Sequence, residues 1–222
     1  MKITIVYDNT SIRNDLIADW GFSCFIEFND RKILFDTGGN GRILLENLIN
    51  LNIDPEKIDD VVISHPDFDH IGGLSHILDL NQKAVIHNPI SFRGIRYPNK
   101  VKYYRKPTEI YDNIFTTGEL GKREQSLSIN TEKGLVLIVG CGHPGVRRII
   151  ETLLEFTEII DSFSGLGNIY AIIGGLHGFN EFEVLRNIEK VCPTHCTRHI
   201  DKIERLFPEK FIKGGVGTII EF

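Results

Sequence analysis

Five times along this chain a short apolar run, rich in β-branched residues, stops at a polar turn. The turns are Phe35-Asp36-Thr37-Gly38-Gly39, Ser64 to His70, Gly140-Cys141-Gly142-His143-Pro144, Gly174-Gly175-Leu176-His177 and Pro193-Thr194-His195-Cys196. That recurrence limits the fold. In layered α/β proteins the strand ends along one edge of a sheet are where ligands sit. Glycine at such turns lets the backbone bend sharply and come close to a ligand. The five ends are therefore expected to converge on one cleft.

Strand-length runs are predicted at Ile3 to Tyr7, Ser23 to Phe28, Lys32 to Phe35, Val61 to Ile63 and Ala84 to Ile86. Others follow at Ser126 to Ile129, Leu135 to Val139, Tyr170 to Ile173 and Thr218 to Phe222. Gly, Asn, Asp or Pro bounds each of them, as strands require. Helical spacing is predicted from Gly41 to Asn50, after Pro144, from Glu181 to Val191 and from Ile200 to Leu206. A strand-rich opening followed by strand–helix alternation points to two packed sheets with helices outside them. No repeat or linker interrupts residues 1–222, so one domain is expected.

Composition narrows the function. The 222 residues are 41% hydrophobic and 25% charged, as in a soluble globular protein. The 25 basic against 30 acidic side chains give a formal charge of -5, which argues against nucleic acid as a partner. No apolar run is long enough to span a membrane. Met1-Lys2-Ile3-Thr4-Ile5-Val6 enters a strand at once rather than a signal peptide, so the cytoplasm is the expected location. Cys24, Cys141, Cys192 and Cys196 are too few for a disulfide scaffold and are read mainly as buried thiols. A structural zinc site at Cys192 and Cys196 would lack a second matching pair.

His65-Pro66-Asp67-Phe68-Asp69-His70 places two imidazoles and two carboxylates in six residues, directly after Val61-Val62-Ile63. Carboxylates so close repel one another unless a cation neutralises them. The mixture of imidazole and carboxylate suits zinc, iron or manganese. His143, His177 and His195 could each, taken singly, be packing histidines. Their repeated placement at strand ends favours a ligand role. His76, His87 and His199 lack that placement and are read as surface or packing residues.

With these residues in place the chain resembles the metallo-β-lactamase superfamily. The superfamily motif His-x-His-x-Asp-His stands here as His65-x-Asp67-x-Asp69-His70. The likeness runs along nearly the whole chain to one branch, metal-dependent hydrolases similar to dihydropterin-ribofuranosylaminobenzene-phosphate synthases. It is carried by Tyr7-Asp8-Asn9-Thr10, Trp20-Gly21-Phe22-Ser23, Leu34-Phe35-Asp36-Thr37-Gly38, Glu124-Gln125-Ser126-Leu127 and Gly140-Cys141-Gly142-His143-Pro144-Gly145. Ile173-Gly174-Gly175-Leu176-His177 and His195-Cys196-Thr197 complete it.

The resemblance implies an α/β fold, the αββα four-layer sandwich, with two divalent metal ions. His65, Asp67 and His143 would hold one ion, and Asp69, His70 and His195 the other. Asp36 would orient a ligand. Two departures stand out. Asp67 replaces the second histidine of the motif, which hardens the site toward iron or manganese. His177 stands where many relatives place a bridging Asp, and it would bind one metal or touch the substrate.

The activity so implied is hydrolysis, with Asp69 orienting the attacking water and accepting a proton. Neither a Gly-x-Ser-x-Gly elbow nor a Walker-type loop occurs. Two alternatives stay open: the resemblance also implies a pterin-cofactor synthase of the same fold, and Asp67 and His177 could instead mark a degraded site in a metal-binding sensor or interaction module without turnover. From Ser91 to Lys106, Arg93, Arg96, Lys100, Lys102, Arg105 and Lys106 alternate with Phe92, Tyr97, Tyr103 and Tyr104. As a lid this stretch would favour an anionic substrate; the other readings are a solvated loop or an oligomer contact.

Overall fold

The computed structural model of the chain describes residues 1–121, 123–160 and 168–222. The chain divides into two compact units, Met1–Tyr103 with Gly214–Phe222, and Tyr104–Lys213.

In the first unit the strands are β1 (Lys2–Tyr7), β2 (Ser23–Phe28), β3 (Arg31–Phe35), β4 (Asp60–Val62), β5 (Val85–Pro89) and β6 (Val101–Tyr104). The C-terminal strand of the chain, Ile219–Glu221, pairs with β1 and completes a sheet whose other edge is β6. Strands β1, β2 and β3 run antiparallel, whereas β3, β4 and β5 run parallel, with Phe35 opposite Val62 and Val62 opposite His87. Helices α1 (Gly41–Asn50), α2 (Phe68–Ile71) and α3 (Leu74–Leu80) belong to this unit. Asn40 starts α1 by accepting the Arg42 N–H. Leu44 and Leu48 of α1 and Ile77 and Leu78 of α3 bury against Val6, Leu34, Val61 and Ile86 of the sheet.

The second unit carries β7 (Thr108–Tyr111), β8 (Ile114–Thr116), β9 (Leu127–Thr131), β10 (Gly134–Val139), β11 (Ile169–Gly175) and β12 (Lys190–Thr194). These form a six-stranded sheet in the order β12-β11-β10-β9-β8-β7. Here β10, β11 and β12 are parallel, with Val139 opposite Gly174 and Gly175 opposite Thr194. Helices α4 (Val146–Ile160) and α5 (Ile200–Leu206) supply Val146, Ile149, Leu153 and Ile203 to a core with Leu135, Leu137, Ile172 and Val191. Val136, Ile138 and Ile173, whose side chains alternate with these along the strands, are buried as well. Such two-sided burial explains why the strands read as continuous apolar runs.

Most predicted elements are present, and two expectations need correcting. Glu181 to Val191 is not one helix: a short 3-10 turn covers Phe182–Asn187, and Lys190 already opens β12. Pro193 lacks the amide a continuing helix needs, and Ile172 and Ile173 offer Val191 and Cys192 a parallel partner strand. The basic-aromatic stretch is not a lid over its whole length either. Val101–Tyr104 is an outer sheet strand, and Phe92, Ile95 and Tyr97 pack against the apolar core of the first unit.

Candidate metal centre

Each unit holds three parallel strands, and in each the carboxyl ends of those strands carry the polar residues singled out from the sequence. In the first unit the strand ends lead into Asp36 after β3 and Ser64-His65 after β4. The motif helix α2 is tied to the loop after β3. Thr37 donates both its N–H (2.8 Å) and its hydroxyl (2.9 Å) to the His70 carbonyl, and the Gly72 N–H donates to the Gly38 carbonyl at 2.8 Å.

Asp36 organises this cluster. One carboxylate oxygen accepts the Ser64 N–H at 2.7 Å; the other accepts the Ser64 hydroxyl at 2.6 Å and lies 2.7 Å from His70 Nδ1. A carboxylate only accepts, so His70 donates through Nδ1–H and carries its lone pair on Nε2. Ser64 has spent its one proton on Asp36, so its oxygen, 2.8 Å from His65 Nδ1, must accept from that ring. His65 therefore also presents an Nε2 lone pair. The two rings lie 4.1 Å apart between centroids. Asp36 itself adopts a left-handed backbone, φ 56°, uncommon for a residue with a side chain.

Asp67 and Asp69 complete the first cluster. Asp67 occupies the N-cap of α2 yet makes no capping hydrogen bond; its Oδ2 instead lies 3.4 Å from His65 Nε2. Two ligands of one tetrahedral ion with bonds of 2.0–2.1 Å stand about 3.3 Å apart, so this pair fits one ion. Asp69 is buried and accepts the Trp20 indole N–H on Oδ2 at 2.8 Å.

The second unit repeats the device with Glu124. Its Oε1 accepts the N–H groups of Cys141 (3.0 Å) and Gly142 (2.8 Å). Its Oε2 accepts the His143 N–H at 2.9 Å and lies 2.9 Å from His143 Nδ1. His143 thus also donates through Nδ1 and presents Nε2. His177 follows β11, its ring 5.0 Å from that of His143. These two histidines, with Leu176, Phe179 and Asn180, line a pocket of about 270 Å³. His195 follows β12 and is buried. Both His177 (φ 44°) and His195 (φ 48°) are left-handed, a strain that concentrates at functional sites. The Leu176 N–H donates to the Thr197 hydroxyl and the Arg198 N–H to the His177 carbonyl, which join their two loops.

Cys141 and Cys196 stand in the same cluster, and with His195 their donor atoms lie within 4.8 Å of one another. The hydrogen bond with the Cys141 thiol pulls the Cys196 thiol down to about 6 against the effect of burial, with His195 and His177 adding to the pull. The cysteine that matters beside Cys196 is therefore Cys141, not Cys192, which is buried in β12.

The structure thus brings His65, Asp67, Asp69 and His70 together in one unit, and His143, His177 and His195 in the other. Of the three excluded histidines, His87 is a packing residue, buried with its Nε2 2.8 Å from Asp60 Oδ1. Ser64, Trp20, Glu124 and the Cys141–Cys196 pair have no role among the expectations drawn from the sequence. Trp20 and Glu124 stood inside the stretches that carried the family likeness, which was the available signal.

The chain belongs to the metallo-beta-lactamase superfamily, whose sequence profile matches residues 21–167, more than half of its length. It is 26% identical to the 7,8-dihydropterin-6-methyl-4-(beta-D-ribofuranosyl)-aminobenzene-5'-phosphate synthase of Methanocaldococcus jannaschii, over 99% of this chain and 95% of that protein. It is 28% identical to an uncharacterized protein of the same organism, over 98% and 99% of the two chains. Among solved structures, Tm1679, a metal-dependent hydrolase of the beta-lactamase superfamily, matches with a TM-score of 0.77 and 27% identity, over 100% of this chain and 99% of that one. The fold class expected from the sequence, the α/β metallo-β-lactamase fold, is the fold of the chain, built on two mixed sheets.

The superfamily binds divalent metals, and the donors present suit them. Three imidazoles offer Nε2 with Nδ1 held by a carboxylate or a serine, the arrangement that orients metal-binding histidines.

Proposed function

We propose that the chain is a metal-dependent hydrolase acting on a small anionic substrate. The observation that carries this is the shared Nδ1–H tautomer of His65, His70 and His143, which puts the basic lone pair of each ring on Nε2. Following the family likeness, His65, Asp67 and His143 hold one divalent ion and Asp69, His70 and His195 the other, with His177 as a further ligand. Residues 1–222 then work as one metallo-β-lactamase-like domain; the profile match at residues 21–167 runs through both units and supports this. Zinc, iron and manganese all suit the donors, and Asp67 shifts the balance toward iron or manganese. The cytoplasm, where thiols stay reduced, suits the four cysteines.

Two bound divalent ions supply Lewis acidity, polarising a carbonyl or phosphoryl oxygen and acidifying water. The chain's own residues do the rest. Trp20 holds the Asp69 carboxylate in place through Oδ2, and Asp69 orients the attacking water and takes its proton. Asn180, in the pocket beside His143, offers a donor to a substrate anion.

The test is metal content by mass spectrometry on protein purified without chelator, followed by a screen of phosphate esters, phosphodiesters and lactones. About two ions per chain with turnover supports the reading. Two ions without hydrolysis, but with turnover of pterin diphosphate-type substrates, would favour the synthase, the reading supported by the 26% identical relative. Metal without any turnover would leave a sensor or binding module.

A further inference from the structure

We propose that Cys141 and Cys196 are an oxidative modification site: a dithiol that closes to a disulfide and reopens on reduction. The proposal stands on geometry within one unit and does not depend on the metal reading. The two Sγ atoms are 3.1 Å apart, and the Cys196 thiol also faces the Cys141 carbonyl at 3.8 Å. A disulfide bond is about 2.05 Å long, so closure needs about 1 Å of approach, within reach of a side-chain rotation.

Their meeting is built into the sheet. Cys141 follows β10 and Cys196 follows β12, so the pair must meet across the end of β11, the strand between them. Gly175 occupies that place. A Cβ there would stand 2.8 Å from Cys196 Sγ and 2.3 Å from the Gly140 carbonyl oxygen. The absence of a side chain at Gly175 is what leaves room for the two sulfurs. Cys196 is only partly buried, which gives a small oxidant access, whereas Cys141 is buried behind it.

The oxidant is a hydroperoxide. With hydrogen peroxide, the Cys196 sulfur attacks one peroxide oxygen; the O–O bond breaks, and the departing oxygen takes the thiol proton and leaves as water, giving a sulfenic acid. Cys141 Sγ then attacks Cys196 Sγ. The S–S bond forms, the S–O bond breaks, and hydroxide leaves with the Cys141 proton as a second water. Two thiols have lost two electrons, and the two peroxide oxygens have gained them. A dithiol reverses the step by exchange.

The consequence lies in the neighbouring loops. Cys141 stands two residues before His143 and Cys196 directly after His195. The bond ties those loops together and fixes the spacing of their imidazoles.

The test treats the purified, reduced full chain with hydrogen peroxide, then alkylates remaining thiols and maps the peptides with and without dithiothreitol. Expected is a protein lighter by two hydrogen atoms, with one cross-linked peptide pair containing Cys141 and Cys196 that dithiothreitol separates. Cys141→Ser and Cys196→Ser should each abolish the cross-link, whereas Cys24→Ser and Cys192→Ser should keep it. Oxidation that stops at sulfinic acid on Cys196, a cross-link through Cys192, or four thiols unchanged would overturn the proposal. Mapping of the unsubstituted chain decides the question even where a serine variant does not fold.

Discussion

His65, His70 and His143 share one tautomer, and two buried carboxylates, Asp36 and Glu124, impose it. In Asp36→Asn an amide nitrogen facing His70 would donate rather than accept. The imidazole would then carry its proton on Nε2, the atom proposed to bind the ion. Metal affinity is expected to fall about 10–100-fold, measured by titration with the metal alone. In Glu124→Gln one oxygen cannot serve four donors, because the amide group must face at least one N–H pair. That variant should lose metal affinity to a similar degree and about 1–3 kcal/mol of stability for the unsatisfied amides. Wild-type affinity in both variants would show that these carboxylates only support the backbone. Asp36 stood in a strand-ending turn, and the family likeness implied its orienting role. Glu124 was not legible: the amides it holds lie 17–19 residues further on, and only the fold brings them near. At the same scale, burial lowers the pKa of His87 below its ordinary 6.5 against the pull of Asp60, whose other oxygen pairs with Arg31. A lowered histidine pKa means the unfolded chain binds the proton first. This contribution to stability is complete above 6.5 and is lost as pH falls through the folded value. Thermal melts from about pH 7.5 to about pH 5.5 should show a fall in Tm that is shallower in His87→Gln. Equal slopes would assign the acid sensitivity elsewhere.

Strand ends are the elements that make the site. The runs at Lys32–Phe35, Val61–Ile63, Leu135–Val139 and Tyr170–Ile173 were legible because each is apolar, β-branched and stopped by a polar turn. The end of β12 was legible at its polar turn, but helical spacing between Glu181 and Val191 hid its start, and short, polar-interrupted sequence hid β6, β7 and β8. Those strands take their order from cross-strand partners, such as Tyr111 with Ile114 and Ile114 with Ile129, which no local pattern encodes. Gly174 tests how tightly β11 is set. Its φ is 119°, and a Cβ there would stand 1.9 Å from the Val139 carbonyl oxygen in β10. Gly174→Ala combines backbone strain with overpacking, about 1–3 kcal/mol each. The expected fall in Tm is about 5–20 °C at roughly 2–4 °C per kcal/mol for a chain of this size. A Tm within error of wild type would mean that β10 and β11 can separate locally.

For the whole chain, the decisive variable is the metal. Unit by unit the proposed donors are His65, Asp67, Asp69 and His70 in one, and His143, His177 and His195 in the other. Carboxylates gathered without a cation repel, so the protein without metal carries a cost that metal removes. An ion that binds only the folded state stabilises it by about 2.7 kcal/mol at a hundredfold excess over Kd. At roughly 2–4 °C per kcal/mol, stripping the metal should lower Tm by about 5–10 °C. Adding back zinc, iron(II) or manganese should restore it to different extents, ranking the native ion independently of any substrate. His70→Ala and His143→Ala then ask how many binding events there are. If the clusters serve the same pair of ions, each variant loses much of the metal-dependent rise in Tm. If the rise survives His143→Ala but not His70→Ala, the Asp67–Asp69 cluster binds metal on its own, and the two-ion hydrolase gives way to a mononuclear site.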